Sequence, residues 1–124
     1  MTVRDAIKTL KATRPGADVT DAQLIEWLSD TEGYIYNEIL SHYKGSPDYE
    51  PFNEDTDDVM DLELTVEAPY SRLYTYRLQA MVDYTNADTQ RFTNSMFMYN
   101  NEYKNWMDNF NRQNMTKFVG VKVF

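Results

Sequence analysis

The side chains that most often act in catalysis are few in this sequence. His42 is the only histidine and there is no cysteine, which excludes thiolate nucleophiles, thiolate metal sites and disulfides. Ser71 and Ser95 lack the signature of an activated nucleophile, and the chain has no G-x-S-x-G, phosphate-binding loop or dinucleotide-binding glycine pattern. We therefore expect no enzyme, and a structural role for His42 near the end of a predicted helix. An enzyme that uses tyrosine and carboxylate groups is the rival, and it would need a concave pocket with convergent polar groups.

The acidic residues are concentrated in one segment. Residues 45–68 contain nine of the twenty acids and no base, which leaves eleven acids and twelve bases in the rest of the chain. The sequence EDTDDVMD at 54–61 could attract a divalent cation, but it lacks the turn glycine and spaced bidentate glutamate of a calcium-binding loop. We therefore expect no cofactor or metal. The candidate functional residues of the segment are Glu54, Asp55, Asp57, Asp58 and Asp61.

Charge and hydropathy limit the classes of partner. An acidic chain without a basic stripe is repelled by nucleic-acid phosphates, so specific nucleic-acid binding is not expected. Charged residues interrupt the first ten positions, unlike a signal peptide, and no apolar run approaches the roughly 18 residues of a membrane span. With 124 residues, 42% of them hydrophobic, the chain is predicted to form one soluble, intracellular domain without a membrane partner.

The pattern of start and stop signals predicts an all-α fold. Thr2 and the capping box TDAQ at 20–23 start the first two helices. Gly45 ends the second helix, and Pro69 takes the first position of the third. The prediction is a small four-helix bundle spanning 1–124, with a long acidic loop between helices 2 and 3 and an extended C-terminal tail. Its boundaries are 1–13 for helix 1, 20–44 for helix 2, 45–68 for the loop with a possible short strand in DLELTV, 69–86 for helix 3, 88–113 for helix 4 and 115–124 for the tail.

The third predicted helix is apolar around most of its circumference, which favours a central position in the bundle. Its polar residues form one narrow stripe, Arg72, Thr75, Gln79 and Asp83. Arg77 falls within the apolar arc, where its guanidinium must either reach water or pair with an acid.

The fourth predicted helix has two different faces. Its core stripe, with spacings of four and three residues, is Phe92, Met96, Tyr99, Tyr103, Trp106 and Phe110, with Met107 at the margin. The opposite side, which we call the amide face, consists of Asn94, Phe97, Met98, Asn101, Asn105 and Asn109. Asparagine is a poor helix former, and glutamate or lysine would suit a solvated face better. Because interface cores are depleted in charge, we expect this face to contact another protein; simple solvation is the alternative.

The tail alternates with the period of a strand. Val119, Val121 and Val123 would lie on one side, and Phe118 and Phe124 on the other. A terminal strand can add to the sheet edge of another chain. Pairing with DLELTV within this chain is the alternative.

Most of the chain resembles a known family of virion proteins. The Pro-Tyr opening of the third helix, the DYTNAD break and the RFTNSMFMYNNEY run within residues 67–112 are similar to the second half of head–tail connector (adaptor) proteins of long-tailed bacteriophages. The segments TVRDAIKTL and TDAQLIEWLSDTEGYIYNEIL resemble the first half. The acidic loop and the tail lie outside the resemblance.

The resemblance implies a structural protein of the virion neck. Such a protein assembles in the host cytoplasm as a ring, typically of twelve copies, under the portal protein, and extends the DNA channel toward a tail-side connector or stopper. It implies no active site, and it suggests that the acidic loop faces the channel or the portal. The rival interpretation is a small non-catalytic helical binding module, a regulator that acts on a host protein.

Overall fold

The structure is a computed structural model that describes residues 1–46 and 48–115. Within these residues the fold is all-α, as predicted, with helices α1 Val3–Thr13, α2 Asp21–Glu38, α3 Arg72–Thr85 and α4 Thr89–Gln113. Short 3-10 helices lie at Leu40–His42 and Val59–Asp61. None of the described helices combines the length and the apolar character needed to cross a membrane.

Side-chain caps start three of these helices. The Thr2 hydroxyl accepts a hydrogen bond from the Asp5 N–H, and the Asp5 carboxylate accepts one from the Thr2 N–H, both at 3.1 Å. Thr20 and Asp88 accept from the third residue after each of them and so cap α2 and α4. These bonds satisfy N–H groups that have no partner within the helix. The predicted starts of α1, α2 and α4 therefore lie within two residues of the observed ones.

The predicted end of the second helix, at residue 44, is wrong. α2 ends at Glu38 because Ile39 leaves the helical region, with φ −122° and ψ −64°, and a 3-10 turn follows. The turn redirects the chain so that Tyr43 is buried against Phe110 of α4, with the ring centres 4.9 Å apart and the rings perpendicular. Gly45 does adopt a left-handed conformation, with φ +85°, but it follows this turn and not the helix.

The predicted start of the third helix is also wrong, and part of its polar stripe is buried. Pro69 lies in a turn that the Tyr70 N–H closes on the Glu67 carbonyl at 3.0 Å, so α3 begins only at Arg72. Thr75 and Asp83 are buried in the structure. Gln79 donates to the Thr13 hydroxyl at 3.0 Å and Asp83 pairs with Arg14, so these two members of the stripe have polar partners at the end of α1.

The acidic loop is folded into the domain. In place of the predicted strand, Thr2 and Glu63 form an isolated antiparallel bridge, and the Leu64 N–H donates to the Met1 carbonyl at 2.9 Å. Val59, Leu64 and Val66 from this segment are buried in the same core as the helices. Alternation of apolar residues in 62–66 thus reflects packing on the N-terminal segment and α2, not a sheet.

The core lies between α3 and the other helices, and the α3–α4 contact is the most extensive. The predicted core stripe of α4 is confirmed: Trp106 and Tyr99 are buried, and the remaining members are half-buried. Successive rings of the stripe lie close together, with centres 5.8 Å apart for Tyr99 and Tyr103 and 5.2 Å for Trp106 and Phe110. A continuous aromatic row of this kind fixes one side of α4 against the domain.

Candidate protein-interaction surfaces

The amide face of α4 points away from the core. Asn94, Asn101 and Asn105 are exposed, and Asn109 is half-buried. Phe97 and Met98, the two apolar members, are 64% and 40% exposed. Two ion pairs among the described residues lie beside this face, Arg91–Asp88 at 3.6 Å at its N-terminal end and Lys104–Asp108 at 3.3 Å along one side. The middle of the face, from Asn94 to Asn105, is itself uncharged and carries a large exposed aromatic side chain, whereas Asp108 and Arg112 bring charge to its C-terminal end.

The predicted tail surface cannot be placed beside it. Its members, Phe118, Val119, Val121, Val123 and Phe124, lie outside the described residues. Met115, the last residue described, is 73% exposed.

The predicted acidic surface is exposed. Glu54, Asp55, Asp57 and Asp58 are all exposed, and none of them forms an ion pair within residues 1–46 and 48–115. Asp61 differs, because its carboxylate pairs with Arg4 of α1. In this part of the chain there is no group of three or more acidic or histidine side chains arranged to hold a metal ion. The carboxylates of residues 54, 55, 57 and 58 thus form a negative surface without an ion pair in the described chain. The ion pair of Asp61 with Arg4 attaches the end of that segment to α1.

A buried carboxylate holds the acidic loop against α2 and α3. Glu32 of α2 is only 8% exposed. Its Oε2 accepts from the Thr65 N–H at 2.9 Å and the Thr65 hydroxyl at 2.7 Å, and its Oε1 accepts from the Tyr74 hydroxyl of α3. The Tyr74 oxygen also accepts from the Val66 N–H at 2.9 Å. Burial, followed by the nearby Glu32 carboxylate, raises the pKa of Tyr74 well above 10.0, so this hydroxyl stays protonated and keeps donating.

Tyr74→Phe should lower the free energy of unfolding by about 2 kcal/mol, since it leaves a Glu32 oxygen and the Val66 N–H buried without a partner. We expect faster hydrogen exchange at the amides of residues 64–66 and a lower urea midpoint. Tyr84→Phe is the matched control, because Tyr84 is 69% exposed and its hydroxyl should contribute almost nothing. Equal midpoints for the two variants would contradict this account of the loop.

The loop also packs on the backbone of α2. The Tyr49 hydroxyl donates to the Ser29 carbonyl, and the Phe52 N–H donates to the Ser29 hydroxyl at 3.0 Å. The Tyr49 ring lies against Gly33, where an added Cβ would be 3.1 Å from a ring carbon. A glycine that weakens the helix by propensity thus provides the space for this ring.

Arg77 of α3 was expected either to reach water or to pair with an acid, but its described contacts are with aromatic rings and a sulfur atom. Its Cζ lies 5.6 Å from the ring centre of Tyr99 and 6.0 Å from that of Tyr34, both within cation–π range. One Nη donates to the Met96 sulfur at 3.4 Å. A cavity of about 270 Å³ adjoins the guanidinium; we call it the Arg77 cavity. It is lined by Tyr34, Glu38, Arg77, Tyr99, Asn100 and Tyr103.

A second arginine forms the most buried ion pair of the described chain. Arg14, directly after α1, pairs with Asp83 of α3 through Nε–Oδ1 and Nη2–Oδ2 bonds, both 3.0 Å. The Asp83 side chain is 3% exposed, and the Ser95 hydroxyl of α4 donates to it at 3.1 Å. The hydrogen bonds to Asp83 raise the pKa of Arg14 above its ordinary value. This site joins three helices, and Ser95 serves it as a structural donor.

The other residues singled out for catalysis do not converge. Ser71 precedes α3 and makes no side-chain cap bond, while half-buried His42 lies in the 3-10 turn after α2. Sequence reasoning found the amide face but missed the partners of Arg14, Glu32 and Arg77, because each partner lies on a different element.

Comparison of the chain with protein-family models, with curated proteins and with solved structures gives no match.

Proposed function

We propose that the protein is a head–tail connector that assembles into a ring under a phage portal. The observation that carries the proposal is the exposed, uncharged amide face of α4, with Phe97 64% exposed at its margin. Large exposed aromatic groups on a surface depleted in charge are typical of the centre of a protein interface. The sequence resemblance supplies the kind of assembly.

The packing of α4 supports this use of its outer face. The aromatic row from Tyr99 to Phe110 fixes the inner side of the helix. A rigid helix loses little conformational freedom when its other side is covered, so more of the contact free energy is available for association.

In this proposal the chain is a four-helix bundle whose copies contact one another through two different surfaces, as closure of a ring requires. The amide face is one of these surfaces. Twelve copies would surround a DNA channel in the virion neck, with the acidic loop turned to the channel or the portal. The tail residues 116–124 would extend to a neighbouring protein such as the portal or the tail-side stopper.

A regulator that binds one host protein would use the same face, so assembly must be measured directly. Asn101→Glu combined with Asn105→Glu should weaken self-association by roughly tenfold or more, since two carboxylates would be desolvated in the contact. The measurement is native mass spectrometry across a concentration series, with and without portal rings. We expect oligomers of the unmodified chain and monomers of the variant under the same conditions.

Ala12→Glu combined with Thr85→Glu is the matched control. Both positions are exposed, and they lie on α1 and α3, not on the helix that carries the amide face. This variant should assemble normally. If the unmodified chain stays monomeric at all concentrations and with portal present, the connector proposal is wrong and a one-to-one binding module becomes the better interpretation.

A further inference from the structure

The guanidinium of Arg77 is half-buried and has poor acceptors around it. Its described contacts are two tyrosine rings and the Met96 sulfur. It forms no ion pair with any carboxylate within residues 1–46 and 48–115. A guanidinium has five N–H donors, and a thioether is a weak acceptor. Most of the hydrogen-bonding capacity of Arg77 is therefore unused within the described chain.

The Arg77 cavity has the chemistry to supply the missing acceptor from outside. Guanidinium and carboxylate groups match in a planar, two-bond arrangement. Asn100 lines the same cavity and is exposed, so its amide can donate to the same ligand. The Tyr99 ring, which is 8% exposed, shields one side of the cavity from water, and this strengthens a charged contact there.

We propose that the Arg77 cavity binds a carboxylate side chain, and that this carboxylate comes from the acidic loop of a second copy of this chain. The inference rests on the proposed function, since it assigns one of the contacts between neighbours in the ring, and it directs residues 54–58 of the acidic loop to the neighbouring copy in place of the channel or the portal. Its donor residues are the four exposed acids without an ion pair, Glu54, Asp55, Asp57 and Asp58.

Charge complementarity and geometry favour this occupant. The acidic loop packs on α2 at Ser29 and Gly33, whereas α2 contributes Tyr34 and Glu38 to the cavity. At 100° per residue these two pairs lie on opposite sides of the helix. Each copy thus holds its acidic loop on the side of α2 away from its own Arg77 cavity. Two complementary sites on opposite sides of one subunit produce a head-to-tail contact, the kind that closes a ring.

Glu38 is the charged residue that opposes such a ligand. Its Oε2 accepts from the Tyr103 hydroxyl at 2.8 Å, and it forms no ion pair with Arg77 in the part of the chain that the structure describes. Its negative charge should weaken carboxylate binding without occupying the guanidinium. Glu38→Gln is therefore expected to tighten self-association, an effect opposite to that expected of Arg77→Gln.

The experiment compares two defective variants alone and mixed. The first is Arg77→Gln, and the second carries Glu54→Gln, Asp55→Asn, Asp57→Asn and Asp58→Asn. Each alone should associate at least roughly tenfold more weakly than the unmodified chain in sedimentation and native mass spectrometry. Mixed together they should form one-to-one pairs and nothing larger, because only one intact loop and one intact cavity meet.

Two further variants and one measurement distinguish an effect on assembly from an effect on folding. Arg72→Gln removes the same charge from an exposed position of α3 and should assemble normally. Asn100→Asp leaves Arg77 in place but sets a carboxylate at the cavity, so it should block assembly as Arg77→Gln does. Thermal unfolding of each variant shows that it is folded at the temperature of the assembly measurement.

The outcomes separate the inference from the connector proposal. If the unmodified chain assembles and the loop variant assembles equally well, the inference is overturned and the connector proposal stands. If nothing assembles even with portal, the connector proposal fails, and the cavity is tested directly with an acetylated, amidated peptide of residues 53–61. A shift of the Arg77 Nε–Hε NMR signal by this peptide, and not by its Asn and Gln analogue, supports the site. No shift with the acidic peptide, or an equal shift with sodium acetate at the same carboxylate concentration, overturns it.

Discussion

Replacing Arg14 by methionine will lower the free energy of unfolding by about 3 kcal/mol, because it leaves the Asp83 carboxylate buried without its cation. Asp83 keeps one bond, from the Ser95 hydroxyl, which cannot balance a full charge in a site where its side chain is 3% exposed. The measurement is urea unfolding followed by far-UV circular dichroism, with the loss read from the midpoint at unchanged slope.

Two comparisons isolate the ion pair. Lys11→Met removes an exposed cation from the same helix, where the pair with Asp21 is more than half exposed on both sides, and it should change stability by less than about 1 kcal/mol. Arg14→Met combined with Asp83→Leu should regain much of the loss, because no charge then remains buried. A double variant as unstable as the single one would show that Arg14 acts through its packing and not through its charge.

Alkaline pH will destabilise the fold through its buried tyrosines. Burial raises the pKa of Tyr99 from 10.0 to about 12, and the Arg77 cation opposes the rise. Between those pH values an unfolded Tyr99 loses its proton while the folded one keeps it, so the unfolded state binds fewer protons and stability falls as pH rises. The slope is about 1.4 kcal/mol per pH unit for one group. Tyr99 alone should therefore remove about 2 kcal/mol by pH 12, and Tyr74, whose pKa is also raised, adds to the loss.

Tyr99→Phe tests this assignment. The variant cannot ionise, so its free energy of unfolding should fall less steeply above pH 10 than that of the unmodified chain. The measurement is urea unfolding at half-unit pH steps, with tyrosinate absorbance recorded in the native state. Parallel pH profiles for the two proteins would contradict a raised pKa at Tyr99, whatever the absolute stabilities.

Local sequence signals predicted the ends of the helices where the deciding contacts are local. Thr2, Thr20 and Asp88 cap within one turn, and RPG after α1 ends that helix as expected. The end of α2 and the start of α3 depend on distant packing and on a turn before the helix. Tyr43 meets Phe110, which is 67 positions away, so no window of sequence contains the reason that α2 stops at Glu38.

Among the candidate surfaces, too, some features follow from local helical spacing and others only from tertiary contacts. The exposed amide face follows from helical spacing alone, because Asn101 and Asn105 lie opposite the core stripe of one helix. The ion pair of Arg14 joins residues 69 positions apart, and the sequence shows Asp83 only as part of the narrow polar stripe of α3. Arg77 was recognisable as misplaced in an apolar arc, but its neighbours on α2 and α4 emerge only from the tertiary arrangement.

The contact of Tyr49 with Gly33 couples the stability of the acidic loop to that of α2, although the two segments are separate in the sequence. The ring can rest on α2 only where the helix lacks a side chain, so the irregular stretch and the middle of that helix become a single cooperative unit. Displacement of the Tyr49 ring would expose the α2 backbone at Gly33, where no side chain covers it. The negatively charged stretch therefore behaves as a thermodynamically coupled part of the domain, and its displacement on a partner would be transmitted to the helix beneath it.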